Sequence, residues 1–345
     1  MKATALALAI GAAGGASAFA ASFPAPWLTG PALFVTVAAL AGLRLSIPNG
    51  LRNTIFTIIG MTIGAGVTPE MVATAAQWPV SILIVLIAMV VIMVLGALLL
   101  ERGFGYDRPT ALLGAAPGHL SFVLSLSTTI KADLPAISII QSTRVLVLTL
   151  AVPFLAVAIT GNPLQDALPD GVPMTVPVLL GTALAAIVVA LLFQRLRVPA
   201  AFLLGGMLAS SVGHLTGAGP GLVPFWLSIP AFVTMGTLIG TRFSGVSLAL
   251  IRKAAGAALA FTALAAIIAV LAGFVAMALL GVPLVQALVA YAPGGLEAMA
   301  AMALLLGVNP AFVAAHHVAR FLLLTVLIPL AMQRAVRPAA GDARE

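Results

Sequence analysis

Two arginines, Arg144 and Arg320, sit deep inside apolar runs, in Gln141-Ser142-Thr143-Arg144-Val145-Leu146 and in His316-His317-Val318-Ala319-Arg320-Phe321-Leu322. A guanidinium stays charged at physiological pH and is costly to bury, so inside a membrane it faces the bundle interior and a partner. It can hold an anion there, bond freed backbone carbonyls as a structural cation, or snorkel towards an interface. Each arginine follows an Ala-Pro-Gly triplet, its Pro standing 27 residues earlier: Pro117 before Arg144 and Pro293 before Arg320. The triplets lie in Gly114-Ala115-Ala116-Pro117-Gly118-His119-Leu120-Ser121 and in Tyr291-Ala292-Pro293-Gly294-Gly295-Leu296-Glu297. Proline removes a backbone donor and clashes with the preceding turn, while glycine accepts almost any backbone conformation, so the pair unwinds a helix. Unwound backbone at membrane depth is tolerated where it is buried in protein or lines a wet cavity. Paired breaks near the midplane build binding sites in secondary transporters, with half-helix N-termini aimed at anionic groups; a plain structural kink is the competing reading.

The candidate substrate-binding residues are therefore Pro117, Gly118, His119, Ser121 and Arg144 in one stretch and Pro293, Gly294, Gly295, Glu297 and Arg320 in the other. Glu297 is the acid beside a break, and its counterpart is Ser121. A buried carboxylate suits a proton carrier, and a static ion pair with Arg320 explains it as well. Asp133 and Asn309 directly follow the special segments, where each serves best as a helix N-cap. His316 and His317 are adjacent and point about 100° apart on a helix; with His119 and His214 remote and no cysteine, no metal-ligand pattern and no cofactor is expected. The chain has no G-x-S-x-G, no P-loop and no carboxylate pair, so an enzyme is not expected.

The elements that must position these residues are set by composition. Of 345 residues, 62% are hydrophobic and 7% charged, with a mean hydropathy of +1.21. Soluble domains carry about 25% charged residues, so this surface faces lipid. The net charge of +7 fits basic cytoplasmic loops better than nucleic-acid binding, since no polar stretch is long enough to fold into such a module. Apolar segments fall at 3–22, 27–43, 51–67, 79–100, 109–130 and 135–159, then, after a polar linker 160–173, at 175–194, 198–213, 225–241, 254–280, 285–306 and 310–332. Met1-Lys2, an apolar run and Ala16-Ser17-Ala18 also resemble a signal peptide. A counterpart of segment 3–22 lies mid-chain, however, which favours a first transmembrane helix.

The two sets of six are a duplication. Pro24 and Gly30 match Pro199 and Gly205 at an offset of 175; after a one-residue insertion, Gly60, Gly64, Pro117, Arg144 and Pro153 match Gly236, Gly240, Pro293, Arg320 and Pro329 at 176. Residues 1–159 form a first repeat and 174–345 a second with a short tail. Basic residues switch loops between them. Arg44, Arg52, Arg102 and Arg108 follow the second and fourth segments of the first repeat, whereas Arg195, Arg197, Arg242, Arg252 and Lys253 follow the first and third of the second. The positive-inside rule then makes the repeats inverted. Inversion needs an odd number of crossings per repeat, which holds if 109–130 and 285–306 are broken or re-entrant. The expected fold is an all-α polytopic membrane protein of two inverted repeats, with about ten crossing helices and two broken segments. It would lie in a bacterial inner membrane with both termini cytoplasmic.

The pattern Pro-x₅-Gly, Gly-x₃-Gly, Ala-Pro-Gly-Gly-Leu-Glu and a final His-His-Val-Ala-Arg-Phe helix resembles the bacterial membrane AbrB family over nearly the whole chain. Members carry the labels "ammonia monooxygenase" and "AbrB family transcriptional regulator", and one enterobacterial member is described as a regulator of gene expression. The chain bears no likeness to the soluble DNA-binding AbrB. The resemblance implies a distant kinship with cation–proton antiporters and bile-acid symporters, and it carries Pro117, Gly118, Arg144, Pro293, Gly294, Glu297 and Arg320 over as motif positions without catalytic residues. His119 departs from it, standing where the second repeat has Gly295. The leading expectation is a secondary transporter of a small anionic solute with proton coupling. The alternatives are a membrane sensor that affects gene expression and a copper monooxygenase, which would need a histidine cluster. Expected partners are the lipid bilayer and a small-molecule solute, with a homodimer compatible with the sequence and no nucleic acid bound directly.

The orientation is testable because the chain has no cysteine. A thiol introduced in 160–173 should react with an impermeant reagent from outside, and one beside Arg102 or Arg252 should not. Labelling of both sets from one side would overturn the inverted arrangement.

Overall fold

A computed structural model describes residues 2–117, 123, 132–161 and 171–336. Among them the chain is helical throughout, with one isolated bridge between Pro173 and Leu222. Fourteen α-helices follow in order among the described residues. The first seven are α1 (Lys2–Ala20), α2 (Pro26–Leu40), α3 (Asn49–Ala65), α4 (Pro69–Ala73), α5 (Trp78–Leu98), α6 (Arg108–Ala115) and α7 (Leu134–Thr160). The rest are α8 (Val176–Arg195), α9 (Ala201–Leu215), α10 (Phe225–Thr241), α11 (Leu248–Leu280), α12 (Leu284–Tyr291), α13 (Leu296–Leu305) and α14 (Pro310–Val336).

Local chemistry sets several of these boundaries. Asp107 accepts from the Thr110 amide at 3.2 Å to start α6, and Asp133 accepts from Ala136 at 3.0 Å to start α7. Asn309 accepts from the Ala311 and Phe312 amides at 3.0 and 3.1 Å to start α14. Asp133 and Asn309 are thus caps, as their position beside the special segments predicts. Gly161 and Gly281 close α7 and α11 in the left-handed conformation, with φ of 69° and 67°.

Six described helices are long and apolar enough to cross a bilayer: α1, α5 with its following turn, α7, α8, α11 and α14. This is fewer than the ten crossings expected from hydropathy. The difference lies in α2, α9, α3 and α10, at 15, 15, 17 and 17 residues, which reach only about 22–26 Å at 1.5 Å per residue. Glycines and prolines cut their apolar segments short, and α3 turns by 90° into α4. The spanning helices present apolar side chains outwards. On α8, Leu180, Leu184, Ile187 and Leu191 are all exposed, a stripe at helical spacing that only lipid or another apolar surface would cover. The chain is an all-α, multi-pass membrane protein.

The duplication reappears as paired contacts. Non-glycine residues adopt left-handed backbone at Ser22 and Ala25 (φ 56° and 50°) and again at their counterparts Arg197 and Ala200 (φ 57° and 49°). Helix α3 packs on α9 and α10 on α2. A Cβ added to Gly60 would collide with the Leu203 carbonyl, and one added to Gly236 with that of Leu28, the counterpart of Leu203. The GxxxG steps therefore bring backbones together across the two repeats. Helix α1 is built into this seam, with Gly11 against Thr237 and Gly14 against Gly30.

Gly60→Leu and Gly236→Leu should each lower thermal stability of the detergent-solubilised protein, by about 1–3 kcal/mol for overpacking. Gly50→Ala, where nothing lies within 4 Å of the added carbon, should leave it unchanged. Equal tolerance at all three positions would show that the seam is loose.

Candidate functional site

Both sequence motifs end helices. Helix α6 stops at Ala115 and the chain continues through Ala116 and Pro117; α12 stops at Tyr291, and α13 restarts at Leu296 with Gly295 as its N-cap. With eight and ten residues, α12 and α13 are about 12 and 15 Å long, so neither spans a hydrocarbon core of about 30 Å alone. Breaking a helix among buried residues leaves carbonyls that need donors from elsewhere in the protein. Arginine supplies the missing donors. Arg320 donates from Nη1 to the Ala292 carbonyl at 2.8 Å and from Nη2 to that of Gly294 at 2.6 Å. Arg144 donates from Nη1 to the Ala116 carbonyl, the counterpart of Ala292, at a longer 3.5 Å.

The neighbours repeat too. The Asp133 amide donates to Thr110 Oγ1 at 2.9 Å, and the Asn309 amide donates to Gln286 Oε1 at 3.3 Å. Gln141 Nε2 donates to the Leu113 carbonyl at 2.8 Å, and its counterpart His317 meets the Val289 carbonyl through Nε2 at 3.2 Å. From there the two breaks diverge. Arg320 Nη2 lies 2.8 Å from His317 Nδ1. Arginine can only donate, so Nδ1 accepts and the imidazole proton sits on Nε2, facing Val289. At the first break, Gln141 Oε1 and Arg144 Nε are buried without partners among the described residues.

The second break is also clamped from outside its own hairpin. Tyr291 Oη lies 2.8 Å from Ser81 Oγ and donates to the Ser81 carbonyl at 2.9 Å. His316 Nε2 lies 2.9 Å from the same hydroxyl, while its Nδ1 donates to the Phe312 carbonyl at 2.7 Å. The corresponding positions around the first break are Ala257, Ala115 and Ile140, all in the apolar core.

A cavity of about 590 Å³ opens beside the breaks. Its polar lining is Arg52 and Asn53 of α3, Gln141 and Arg144 of α7, Gln194 of α8, Arg197, Arg242 and Glu297, with Gly295, Leu296 and Ala298 presenting the start of α13. Four arginines thus surround one carboxylate. The first-turn amides of α13 have no intrahelical acceptor, and the helix dipole adds partial positive charge at that end. Arg144, beside the first break, and Gly295, at the second, line the same cavity, which brings the neighbourhoods of the two breaks together. The Arg144 guanidinium carbon also lies 5.8 Å from the centre of the Phe261 ring.

The predicted residues divide accordingly. Arg144, Gly295 and Glu297 line the cavity; Arg320 does not. The alternative of a static Glu297–Arg320 ion pair is corrected. Arg320 is occupied by carbonyls and His317, and Glu297 lines the cavity with Arg52, Arg144, Arg197 and Arg242. Pro117, Pro293 and Gly294 are buried at the breaks and act through backbone geometry. Gly118, His119 and Ser121 lie outside the described residues. Sequence reasoning overlooked Gln141, although a buried amide three residues before Arg144 was a usable signal. It also read Arg52, Arg197 and Arg242 only as loop charges.

Fold and cavity together define a multi-pass membrane protein with a cationic pocket at a broken helix. A family model described as "Transition state regulatory protein AbrB" matches residues 27–335. The chain belongs to that membrane AbrB family. It is 28% identical over 297 residues to "Uncharacterized protein YhjN" of Bacillus subtilis (strain 168), covering 79% of this chain and 75% of that one. It is also 28% identical over 295 residues to "Putative regulator AbrB" of Escherichia coli (strain K12), covering 82% of each. No solved structure matches the chain.

The two arginines should respond differently to substitution. Arg320→Met strands two buried carbonyls and one imidazole nitrogen, at about 1–3 kcal/mol each, and should cost about 3 kcal/mol or more of stability. Arg144→Met loses one long bond and should cost about 1 kcal/mol. Denaturation in mild detergent measures both, and an equal loss would contradict the division of roles.

Proposed function

We propose that this protein is a secondary transporter of a small organic anion, with Glu297 as the proton-coupling group. The observation that carries this reading is the cavity. Arg52, Arg144, Arg197 and Arg242 converge there with the N-terminus of a broken-helix segment, α13, at charge density that bulk anions alone would screen poorly. If the basic loops lie inside, the cavity opens to the cytoplasm.

Coupling follows from shared charge. Glu297 and an incoming anion compete for Arg242. When the anion takes that cation, Glu297 loses its counter-charge and gains a negative neighbour, which favours proton uptake. Anion and proton then move in the same direction.

The name of the Escherichia coli relative favours a second reading, in which an anion occupies the same cavity and the membrane protein signals its presence. The two readings part on flux. A regulator would bind without moving solute.

Proteoliposomes carrying the purified chain should accumulate one or more members of a carboxylate panel, faster with acid outside. Glu297→Gln should keep anion binding and make uptake indifferent to the pH gradient, while Arg144→Met should weaken binding at least about tenfold, the loss of one charge-assisted bond. Binding without uptake would move the assignment to the sensor, and neither binding nor uptake would end the anion reading.

A further inference from the structure

The cavity carries more positive charge than one carboxylate can match, and that charge comes from separate elements. The ionisable groups among its described lining residues are Arg52, Arg144, Arg197, Arg242 and Glu297. Four cations against one acid leave a surplus of three. Arg144 is buried and bonded to the first break. The other three differ. Arg52 stands in the first turn of α3, Arg197 in the turn between α8 and α9, and Arg242 directly after α10. Each keeps part of its surface open, Arg197 most of all. No hydrogen bond or ion pair among the described residues holds any of these three side chains. Their counterparts in the other repeat are Ser228, Ser22 and Gly66, so the duplicated fold does not require the charges. Basic residues that set topology can lie anywhere on the inner surface; these three line one cavity.

Resting on the anion reading above, we infer that the ligand is a dicarboxylate, two carboxylates joined by a short apolar body. One carboxylate is matched by one guanidinium, which it can engage with both oxygens. A monocarboxylate therefore leaves the remaining cations of the cavity facing water and Glu297. A second carboxylate on the same molecule reaches an arginine on a second element, so both ends are held by charge-assisted bonds. Phe56, Phe202, Met235, Leu238 and Ile239 supply apolar lining for the methylenes between the ends. The volume of about 590 Å³ is in the range of sites that hold small organic molecules. The charge count also suits the coupling step. Once Glu297 takes a proton, the arginines lose their one carboxylate among the described lining residues, and a dianion replaces that charge and adds another.

The test pairs succinate, glutarate and adipate each with its own monomethyl ester, which keeps the body and removes one charge. Calorimetry on the full chain in detergent at neutral pH should favour the dicarboxylate by about ten- to a hundredfold in at least one pair, the worth of one charge-assisted bond. Sulfate, with both charges on one centre, should bind more weakly than the favoured dicarboxylate. Arg197→Ser introduces the residue that its counterpart carries at the same backbone geometry, φ 56° against 57°, so the chain should fold. Combined with Arg242→Gln, it should bring the ratio of diacid to ester near one. If the double variant does not fold, the wild-type ratio and Arg197→Ser alone still decide. Equal affinities within every pair, or tighter binding of the esters, would overturn the dicarboxylate inference and leave the anion site standing. Sulfate binding as tightly as the best dicarboxylate would overturn the spaced pair of charges, and a ratio that survives the substitutions would overturn the role of these arginines. No binding by any of these anions would overturn both readings.

Discussion

A backbone carbonyl released inside a bilayer has no water to turn to, and the centre of this protein is arranged around that constraint. Each Pro-Gly break frees carbonyls at the end of a short helix, and a buried unpaired carbonyl costs about 1–3 kcal/mol. Arginine meets the need because its guanidinium presents several donors in a fixed fork. The carbonyls in turn offset part of the desolvation cost of burying the charge. Break and arginine are mutually dependent, which explains why the long helices α7 and α14 fold back beside α6 and α12 with matching donors. Remove the arginine and the break is unsatisfied; mend the break and the arginine is stranded.

Duplication gave this arrangement twice, and the copies have been put to different uses. In the second repeat the polar groups satisfy one another. Arg320 holds two carbonyls and His317, and Ser81, Tyr291 and His316 tie α5, the end of α12 and α14 together. That break is finished as structure. At the first break the clamp positions are apolar, Arg144 makes one long bond, and Gln141 Oε1 and Arg144 Nε are buried without a partner among the described residues. Equivalent backbone therefore supports a closed hydrogen-bond network on one side and an open one on the other. Glu297, the acidic group among the described cavity-lining residues, comes from the closed side and reaches the cavity through the start of α13.

Much of this was legible from residue order. Periodicity is not needed to see a segment of twenty apolar residues, so the helices fall where hydropathy puts them, and the offset of 176 survives as paired contacts. The offset works because Gly, Pro and Arg at those positions each satisfy a backbone demand that the fold makes twice. Helix length was less legible. Segments 27–43 and 198–213 have enough apolar residues to cross, yet α2 and α9 begin only after a left-handed residue, Ala25 or Ala200, and stop after fifteen residues. Hydropathy counts residues without asking where their backbone turns. That Arg320 is not available to Glu297 was not legible either, since only geometry shows its guanidinium already bonded to two carbonyls and His317.

The cavity arginines were the hardest to see because two physical demands draw on the same residues. Positive charge in cytoplasmic loops sets topology, and positive charge around a pocket attracts anions; sequence cannot separate them. Position can. Arg44, Arg102, Arg108, Arg195 and Arg252 are absent from the cavity wall, whereas Arg52, Arg197 and Arg242 are on it. Arg197 adds a further distinction. Its left-handed backbone, with φ of 57°, costs about 1–2 kcal/mol relative to an ordinary conformation and could be taken for strain stored at a binding site. Its counterpart Ser22 has the same geometry at φ 56° and lines no part of that cavity. The strained turn therefore belongs to the duplicated fold, which needs it to start α2 and α9 at the right angle. Only the side chain, serine in one copy and arginine in the other, was available for specialisation.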